Sequence, residues 1–328
     1  MNTKDKILKC LVENRDRYIS GEELGSSLNI SRTAIWKGVK SLRDEGFIIN
    51  SQSNNVYKLD DSCDKLSSFG IVNYLEENLK DIDIRVYDSI DSTNTEAKRL
   101  LYSEKIKNFT LLIANEQTKG RGRRGRDFLS PEDTGIYFSI ILFPKTDFNM
   151  ESLDLITIKA AVAVAEAIAK NTDKEPRIKW VNDIFLDGKK ICGILSEADS
   201  DFESRQIKSI VVGIGINFNT KSSYFKGDLN KKAGSLNAHN LYRNQLAAEV
   251  LNEFYNCYYN RSDEDILKTY KAYSLVLGKK IEFTQNDVKY EATAVDINDR
   301  GNLVVEFSDG NRKELSSGEI SIKGDFYL

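Results

Sequence analysis

Histidine is almost absent from this chain: His239 is the single one in 328 residues. A multi-histidine metal site is therefore impossible. A histidine-based triad would have to use this one residue, which sits in polar Asn237-Ala-His-Asn240 and reads as a solvated loop or helix start. Cysteine is also scarce. Cys10, Cys63, Cys192 and Cys257 lie far apart and form no C-x-x-C, which argues against a zinc site or a disulfide framework and fits a reducing cytoplasm. No run of 18 apolar residues is present, which argues against a membrane span. The opening Met1-Asn-Thr-Lys-Asp5 has no apolar stretch behind it and does not read as a signal peptide. The formal net charge is only -3, so the chain as a whole is not a basic nucleic-acid binder, and any DNA contact must come from a local basic surface.

What is present suits globular cores: 40% hydrophobic and 30% charged residues, over a length that calls for two or three domains. Residues 3–14 read as a helix with Ile7, Leu8, Leu11 and Val12 at helical spacing. Ser20-Gly-Glu-Glu23 reads as a capping box for a second helix carrying Leu24 and Leu28. Asn29-Ile30 forms a turn, Ser31 caps a third helix with Ile35, Val39 and Leu42 inward, and Gly46 closes it. Two short strands follow, Phe47–Asn50 and Val56–Leu59, joined across Ser51–Asn55. Three helices and a hairpin predict a winged helix-turn-helix over 1–60, with Ser31, Arg32, Thr33, Trp36, Lys37 and Lys40 on the DNA-facing side of the third helix.

Asp60–Asp64 is polar and reads as a linker. From 66 to 273, strand candidates at 84–87, 110–114, 136–143, 177–181, 184–187, 191–196 and 207–217 mix with helices at 68–79, 93–102, 152–170, 243–259 and 263–273. That mixture predicts a central α/β-sheet domain and places the chain in the α+β class. In 278–328 the alternation over 280–283, 288–296, 303–307 and 312–315, with turns at Asn286-Asp287, Asp299–Gly301 and Asp309-Gly310, predicts a small SH3-like barrel.

The segment of strongest chemical character is Gly120-Arg-Gly-Arg-Arg-Gly-Arg126. Gly120-x-Gly122-x-x-Gly125 matches the dinucleotide fingerprint in letters only. A Rossmann loop opens a helix, whereas Pro131 and Gly135 follow here and then a strand. Glycine lets backbone approach a ligand closely, and arginine offers permanent charge with forked donors for phosphate or carboxylate. Composition alone supports equally a loop closing over a polyanion such as ATP and a basic nucleic-acid loop.

The flanks separate these readings. Upstream lie Asp88-Ser-Ile-Asp-Ser-Thr-Asn-Thr95 and Asn115-Glu-Gln-Thr-Lys-Gly120. Downstream lie Lys179-Trp-Val-Asn-Asp183, Asp187-Gly-Lys-Lys190, Ile191–Glu197 and Gly213-Ile-Gly-Ile-Asn217. In this order they resemble the biotin protein ligase family over roughly 84–328, and with the N-terminal module the chain resembles its bifunctional ligase and biotin operon repressor class. The resemblance implies that Ser92, Thr93, Asn94 and Gln117 line a biotin site, and that Arg121, Gly122 and Arg123 close on biotin and its adenylate. It implies that Lys190 reaches the biotin carboxyl and phosphate, and that Phe128 helps cover the adenine. Lys179, Asn182, Asp183 and Asn217 match positions around the nucleotide and its magnesium. Arg123 and Lys190 are the residues expected to carry the chemistry. Three positions depart from the family pattern: Val181 replaces a usual proline, Phe128 a common tryptophan, and the wing tip lacks its usual glycine.

The implied chemistry is ATP-dependent formation of biotinyl-5′-adenylate, then transfer to a lysine of a biotin carboxyl carrier protein. The ligands implied are biotin and ATP, with Mg²⁺ carried by the nucleotide rather than by a protein metal site, and no tightly bound prosthetic group. Operator DNA and, with adenylate bound, a second copy of the chain meeting an edge strand complete the expected partners. No membrane partner is expected. Competing classes are a lipoate ligase, a ligand sensor that does not catalyse, and an RNA-binding protein using the arginine loop. The first lacks such a loop, the second would not need every phosphate-facing residue, and the third is weakened by the absence of interleaved aromatics.

Overall fold

The computed structural model describes residues 1–52, 55–144, 153–200, 206–285, 288–316 and 318–323. The wing tip at 53–54, the turn at 286–287 and the first residue of the helix expected from 152 lie outside the described residues. By contacts the chain divides into two units, Met1–Lys80 with Tyr242–Ala248, and Asp81–Leu241 with Glu249–Leu328.

The first unit opens with α1 (Thr3–Glu13). A reciprocal capping box closes its N-terminus: Asn2 Oδ1 accepts from Asp5 N at 2.9 Å and the Asp5 carboxylate accepts from Asn2 N. β1 (Ile19–Ser20) precedes α2 (Gly21–Leu28), which ends on left-handed Asn29. The capping box expected at Ser20 is only half formed. Ser20 Oγ accepts from Glu23 N, but the Glu23 side chain turns away to pair with Arg17 at 2.6 Å. α3 (Arg32–Asp44), capped by Ser31, buries Ile35, Gly38, Val39 and Leu42. Gly38 is where α1 meets α3: a Cβ there would stand 2.5 Å from Ile7 Cδ1.

Gly46, with φ +92°, turns the chain toward β2 (Ile49–Gln52) and β3 (Val56–Leu59). Sequence periodicity missed β1, whose two residues are too few to show alternation; it pairs with β3 in a sheet of order β1-β3-β2. The polar stretch 60–64 is packed rather than free. Cys63 is in the core with Leu8, Leu42 and Leu59, and Arg15 donates to the carbonyls of Asp60 and Cys63. The helix expected over 68–79 is instead α4 (Ser68–Val72) and a 3₁₀ turn at 77–79. Ile71, Leu75 and Leu79 are all buried, so short turns bury the same apolar positions that a continuous helix would.

In the second unit, β4 (Ile84–Ile90), α5 (Thr93–Ser103), β5 (Thr110–Gln117) and β6 (Gly135–Leu142) are followed by α6 (Leu153–Asn171). α6 is buried on nearly all sides, as its run of alanine, valine and isoleucine dictates. Then come β7 (Arg177–Lys179), β8 (Asp183–Leu186), β9 (Lys189–Ser200) and β10 (Ile207–Asn217). The single-turn α7 (Leu229–Lys232) and α9 (Asp263–Tyr273) also belong here, with α8 (Arg243–Tyr259) from Glu249 onward, its first turns counting to the first unit. The seven strands form one mixed sheet of order β4-β5-β6-β10-β9-β8-β7, parallel only between β4 and β5. The strand expected over 191–196 begins earlier, so that Lys190 is the second residue of β9; the turn before it is Asp187-Gly188, both at positive φ, which suits a tight hairpin.

A second sheet is antiparallel: β11 (Lys280–Gln285), β12 (Val288–Ile297), β13 (Leu303–Glu306), β14 (Arg312–Leu315) and β15 (Ile320–Ile322), in order β14-β13-β12-β11-β15. Sequence reading missed β15, a three-residue strand. Among the described residues β14 and β15 do not pair with each other, so the expected barrel is described as an open five-stranded sheet. Trp180 joins the two sheets: buried, it donates from Nε1 to Gly301 O at 3.0 Å. The neighbouring Trp180–Val181 peptide is cis.

Candidate active site and DNA-binding face

The site lies where the β4–α5 turn, the end of β5 and the middle strands β9 and β10 converge. Ser92, Thr93, Asn94, Gln117, Arg121, Gly122, Arg123, Phe128, Asn182 and Lys190 line one pocket. Ser92 occupies the N-cap of α5, but its side chain makes no capping hydrogen bond, so capping does not account for the polar cluster. The polar groups are tied to each other instead. Thr93 donates from N and Oγ1 to Gln117 Oε1 at 2.9 and 3.1 Å. Gln117 Nε2 donates to Ser130 Oγ. Ser139 Oγ stands 2.7 Å from Thr93 Oγ1 and 2.6 Å from Asn94 Oδ1. Asn94 Nδ2 donates to Glu197 at 2.9 Å.

Three glycines make the floor. A Cβ on Gly213 would stand 2.1 Å from Asn94 Oδ1, one on Gly215 2.6 Å from the Phe128 ring, and one on Gly193 3.2 Å from the Lys190 side chain. The β10 register runs unbroken past Gly213 and Gly215, so these glycines give room to the site rather than mark a bulge. The pocket has a volume of only about 40 Å³. Ligand pockets ordinarily hold roughly 300–1,000 Å³; here Phe128 and the arginine loop take up the room.

That loop is folded back on itself. Phe128 N donates to Gly120 O at 2.9 Å and Gly122 N to Arg126 O at 2.7 Å, with a 3₁₀ turn at Arg123–Gly125. A sheet strand follows, not an α-helix, which rules out the Rossmann geometry. Arg123 reaches toward Asn182 Oδ1 at 3.4 Å. Burial pushes the Asp154 carboxyl up, and the Arg123 charge opposes the shift. Arg126 pairs with Glu319.

A second cleft of about 370 Å³ opens on the other side of Phe128 and Lys190, lined also by Lys179, Asp183, Asn217, Lys232 and Glu319. Lys190 Nζ is 2.7 Å from Asp183. Burial pushes the Lys179 ammonium below the usual lysine range, with the Asp183 charge opposing. Of the residues expected on the nucleotide side, Lys179, Asp183 and Asn217 line this cleft and Phe128 lines both. Asn182 differs: it sits in the first pocket beside Arg123, where Nδ2 donates to Ile194 O.

Sequence reading missed Ser130, Ser139, Glu197 and Lys98. Ser139 carried a signal, as a lone serine in the apolar run of β6. Glu197 accepts from Lys98 at 2.8 Å and from Asn94, and Arg121 NH2 stands at 3.5 Å. Burial alone would raise this carboxyl, yet those hydrogen bonds and charges outweigh it and hold it below the usual range. Buried Cys192 and Cys257 have their thiols pushed up, Cys257 to about 12, so neither is an activated nucleophile. Exposed His239 lies in a bend, as its polar surroundings imply. Among the described residues no group of three or more His, Cys, Asp or Glu side chains could hold a metal ion.

The α3 cap Ser31 and, on α3, Arg32, Thr33, Trp36, Lys37 and Lys40 are all exposed, Trp36 at 56%. The Lys40 ammonium is 5.6 Å from the Trp36 ring. Arg32, Thr33 and Trp36 line a hollow of about 870 Å³ with Ser20, Gly21 and Asn55. No helix among the described residues is long and apolar enough to cross a membrane.

The chain thus combines a helix-turn-helix unit with a mixed-sheet unit that gathers arginine and lysine over a polar, glycine-floored pocket. The family comparisons agree on each part. Residues 86–217 match the biotin/lipoate A/B protein ligase family, 3–58 an HTH domain, and 276–323 the biotin protein ligase C-terminal domain. The chain is 32% identical over 306 residues to the bifunctional ligase/repressor BirA of Bacillus spizizenii, covering 92% of this chain and 93% of that one. It is 28% identical to the Escherichia coli BirA, covering 98% of each. Among solved structures, the Aquifex aeolicus biotin protein ligase in complex with biotin and ATP superposes with a TM-score of 0.62 at 28% identity, covering 74% of this chain and 98% of that one. The chain belongs to the biotin protein ligase family, in its bifunctional ligase/repressor branch.

Proposed function

We propose that this chain joins biotin to ATP as biotinyl-5′-adenylate, releasing pyrophosphate, and passes the biotinyl group to a lysine of a biotin carboxyl carrier protein, releasing AMP. One observation carries this reading: Arg121, Arg123 and Lys190 converge on the pocket lined by Ser92, Thr93, Asn94 and Gln117. The polar cluster suits the ureido head group. The three cations suit the meeting of a carboxylate with a phosphate, two anions whose approach costs energy unless fixed positive charge offsets it. No enzyme nucleophile is required. Phe128, Lys179, Asn182, Asp183 and Asn217 are assigned to the nucleotide side. Mg²⁺ is assigned to the triphosphate, where it would offset phosphate charge.

The domains are read as a DNA-binding module over 1–60, a catalytic domain over 66–273 and a C-terminal domain over 278–328. The exposed α3 residues are assigned to operator DNA, the adenylate to the role of corepressor, and a homodimer to the repressing form. The cytoplasm, where carrier protein and operator are both found, is the expected location. The deciding experiment incubates the protein with biotin, ATP, Mg²⁺ and a carrier domain. Biotinylation with pyrophosphate release is expected, with no transfer from lipoate. Transfer from lipoate but not biotin would overturn the reading.

A further inference from the structure

Glu197 has more cations than one carboxylate needs. Its side chain, on β9 and 18% exposed, takes Lys98 Nζ at 2.8 Å and Arg121 NH2 at 3.5 Å, both on Oε1, while Oε2 accepts from Asn94. Lys98 makes the tighter contact, so Arg121 is the outer partner of a carboxylate already neutralised. Neither Lys98 nor Glu197 lines the pocket that Arg121 lines. We propose that Lys98 is a positioning residue for Arg121: by holding Glu197 it keeps the Arg121 guanidinium available to a carboxylate ligand in the pocket. This rests on the reading that the pocket takes biotin.

The argument is a competition between carboxylates. A guanidinium pairs strongly, and often with two hydrogen bonds, with whichever carboxylate is least neutralised. Glu197, Lys98 and Arg121 together leave one net positive charge beside the pocket. Without Lys98 the same half-buried group is neutral, and Arg121 becomes the single cation facing Glu197. An incoming carboxylate would then have to break an internal ion pair before making its own. Partial burial limits screening of that pair by salt. Lys98 projects from α5 with 38% of its side chain exposed, so its replacement does not open the core.

The test measures binding by calorimetry for biotin and for biotinol, in which the carboxylate is replaced by an uncharged alcohol. Lys98→Met is expected to weaken biotin by roughly tenfold or more, the scale of one hydrogen bond to a charged group, and to leave biotinol within about twofold. Lys98→Arg should restore biotin binding. Lys98→Met combined with Glu197→Gln should restore it too, because the competing charge is gone while a glutamine oxygen can still accept from Asn94. Equal weakening of biotin and biotinol would mean a structural role and overturn the proposal, as would unchanged biotin binding in Lys98→Met. A wild-type protein that binds neither ligand would instead overturn the biotin reading itself.

Discussion

Lys190 Nζ lies 2.7 Å from the Asp183 carboxylate, across the hairpin that joins β8 to β9. Asp183 thereby holds the ammonium that the proposed reaction needs at the junction of carboxyl and phosphate. Lys190 lines both the polar pocket and the larger cleft, so a short swing of a flexible side chain exchanges one anion for another. Lys190→Ala is expected to slow adenylate formation by roughly 10²–10³, the scale for losing one preorganised electrostatic donor. The fold should survive, since 34% of the side chain is exposed. Single-turnover release of pyrophosphate measures the step, and a near-normal burst would remove Lys190 from the chemistry.

Lys179 offers a separable effect on stability. Burial pushes its ammonium below the usual lysine range, and Lys190 adds to the shift while Asp183 opposes it. At any pH below the depressed folded-state value, the charge is present in both states but is paid for by burial only in the folded one. That cost fades as pH rises through the folded value and is gone at the ordinary lysine value. Lys179→Met should therefore raise the ligand-free melting temperature near neutral pH, by about 2–4 °C for each 1 kcal/mol of cost removed. The gain should shrink in alkaline buffer, while ATP binds more weakly. A lower melting temperature at neutral pH would refute the assignment.

The features legible in the sequence were those with local signatures. Helix spacing fixed α1, α3, α8 and α9 to within a residue or so, and the loop, the Ser92–Asn94 turn and the Lys179–Asp183 block were found as motifs. What escaped depended on distance in space. Glu197 and Lys98 are 99 residues apart and meet only because α5 packs on β5, β6 and β10, from where Lys98 reaches the neighbouring strand β9. The halved capping box at Ser20 failed for a similar reason: Arg17, outside the motif, offers Glu23 a charged partner that outcompetes a backbone amide. Two- and three-residue strands such as β1 and β15 are too short for alternation to reveal.

The DNA-binding face should declare itself through salt. Residues 1–60 hold ten Lys/Arg against eight Asp/Glu, so its positive character is local to exposed Arg32, Lys37 and Lys40 on α3. Lys37→Ala should weaken operator binding and reduce the slope of log affinity against log salt by about one, the signature of one lost phosphate contact. Trp36→Ala should instead act with little change in that slope, because an exposed ring displaces no counterion. Fluorescence anisotropy at several salt concentrations measures both. An unchanged slope in Lys37→Ala would move the phosphate contact away from α3.

The two proposed activities meet in the loop 119–126. At about 1–2 kcal/mol of backbone entropy per residue, ordering it costs roughly 8–16 kcal/mol. The bonds that hold it are a handful, chiefly Gly122 N to Arg126 O, Arg126 N to Arg123 O, Phe128 N to Gly120 O, Arg123 to Asn182, and the Arg126–Glu319 and Arg121–Glu197 pairs. At roughly 0.5–1.5 kcal/mol per hydrogen bond these fall short of the cost. Two of its four arginines, Arg121 and Arg126, face the carboxylates of Glu197 and Glu319, which leaves net positive charge in the loop for an anion to offset. Biotinyl-adenylate would supply the missing contacts, and the narrow pocket must widen, with Phe128 moving off Gly215, to admit it. Trypsin reports the change. Arg124 is exposed at positive φ in the loop, so the free protein should be cut there into about one third and two thirds of the chain. Biotin with ATP should protect the site and raise operator affinity in parallel, because an ordered loop is what the repressing dimer is proposed to need. Protection without a gain in operator affinity would separate the loop from regulation. Equal cleavage with and without ligands would mean that the loop does not close at all.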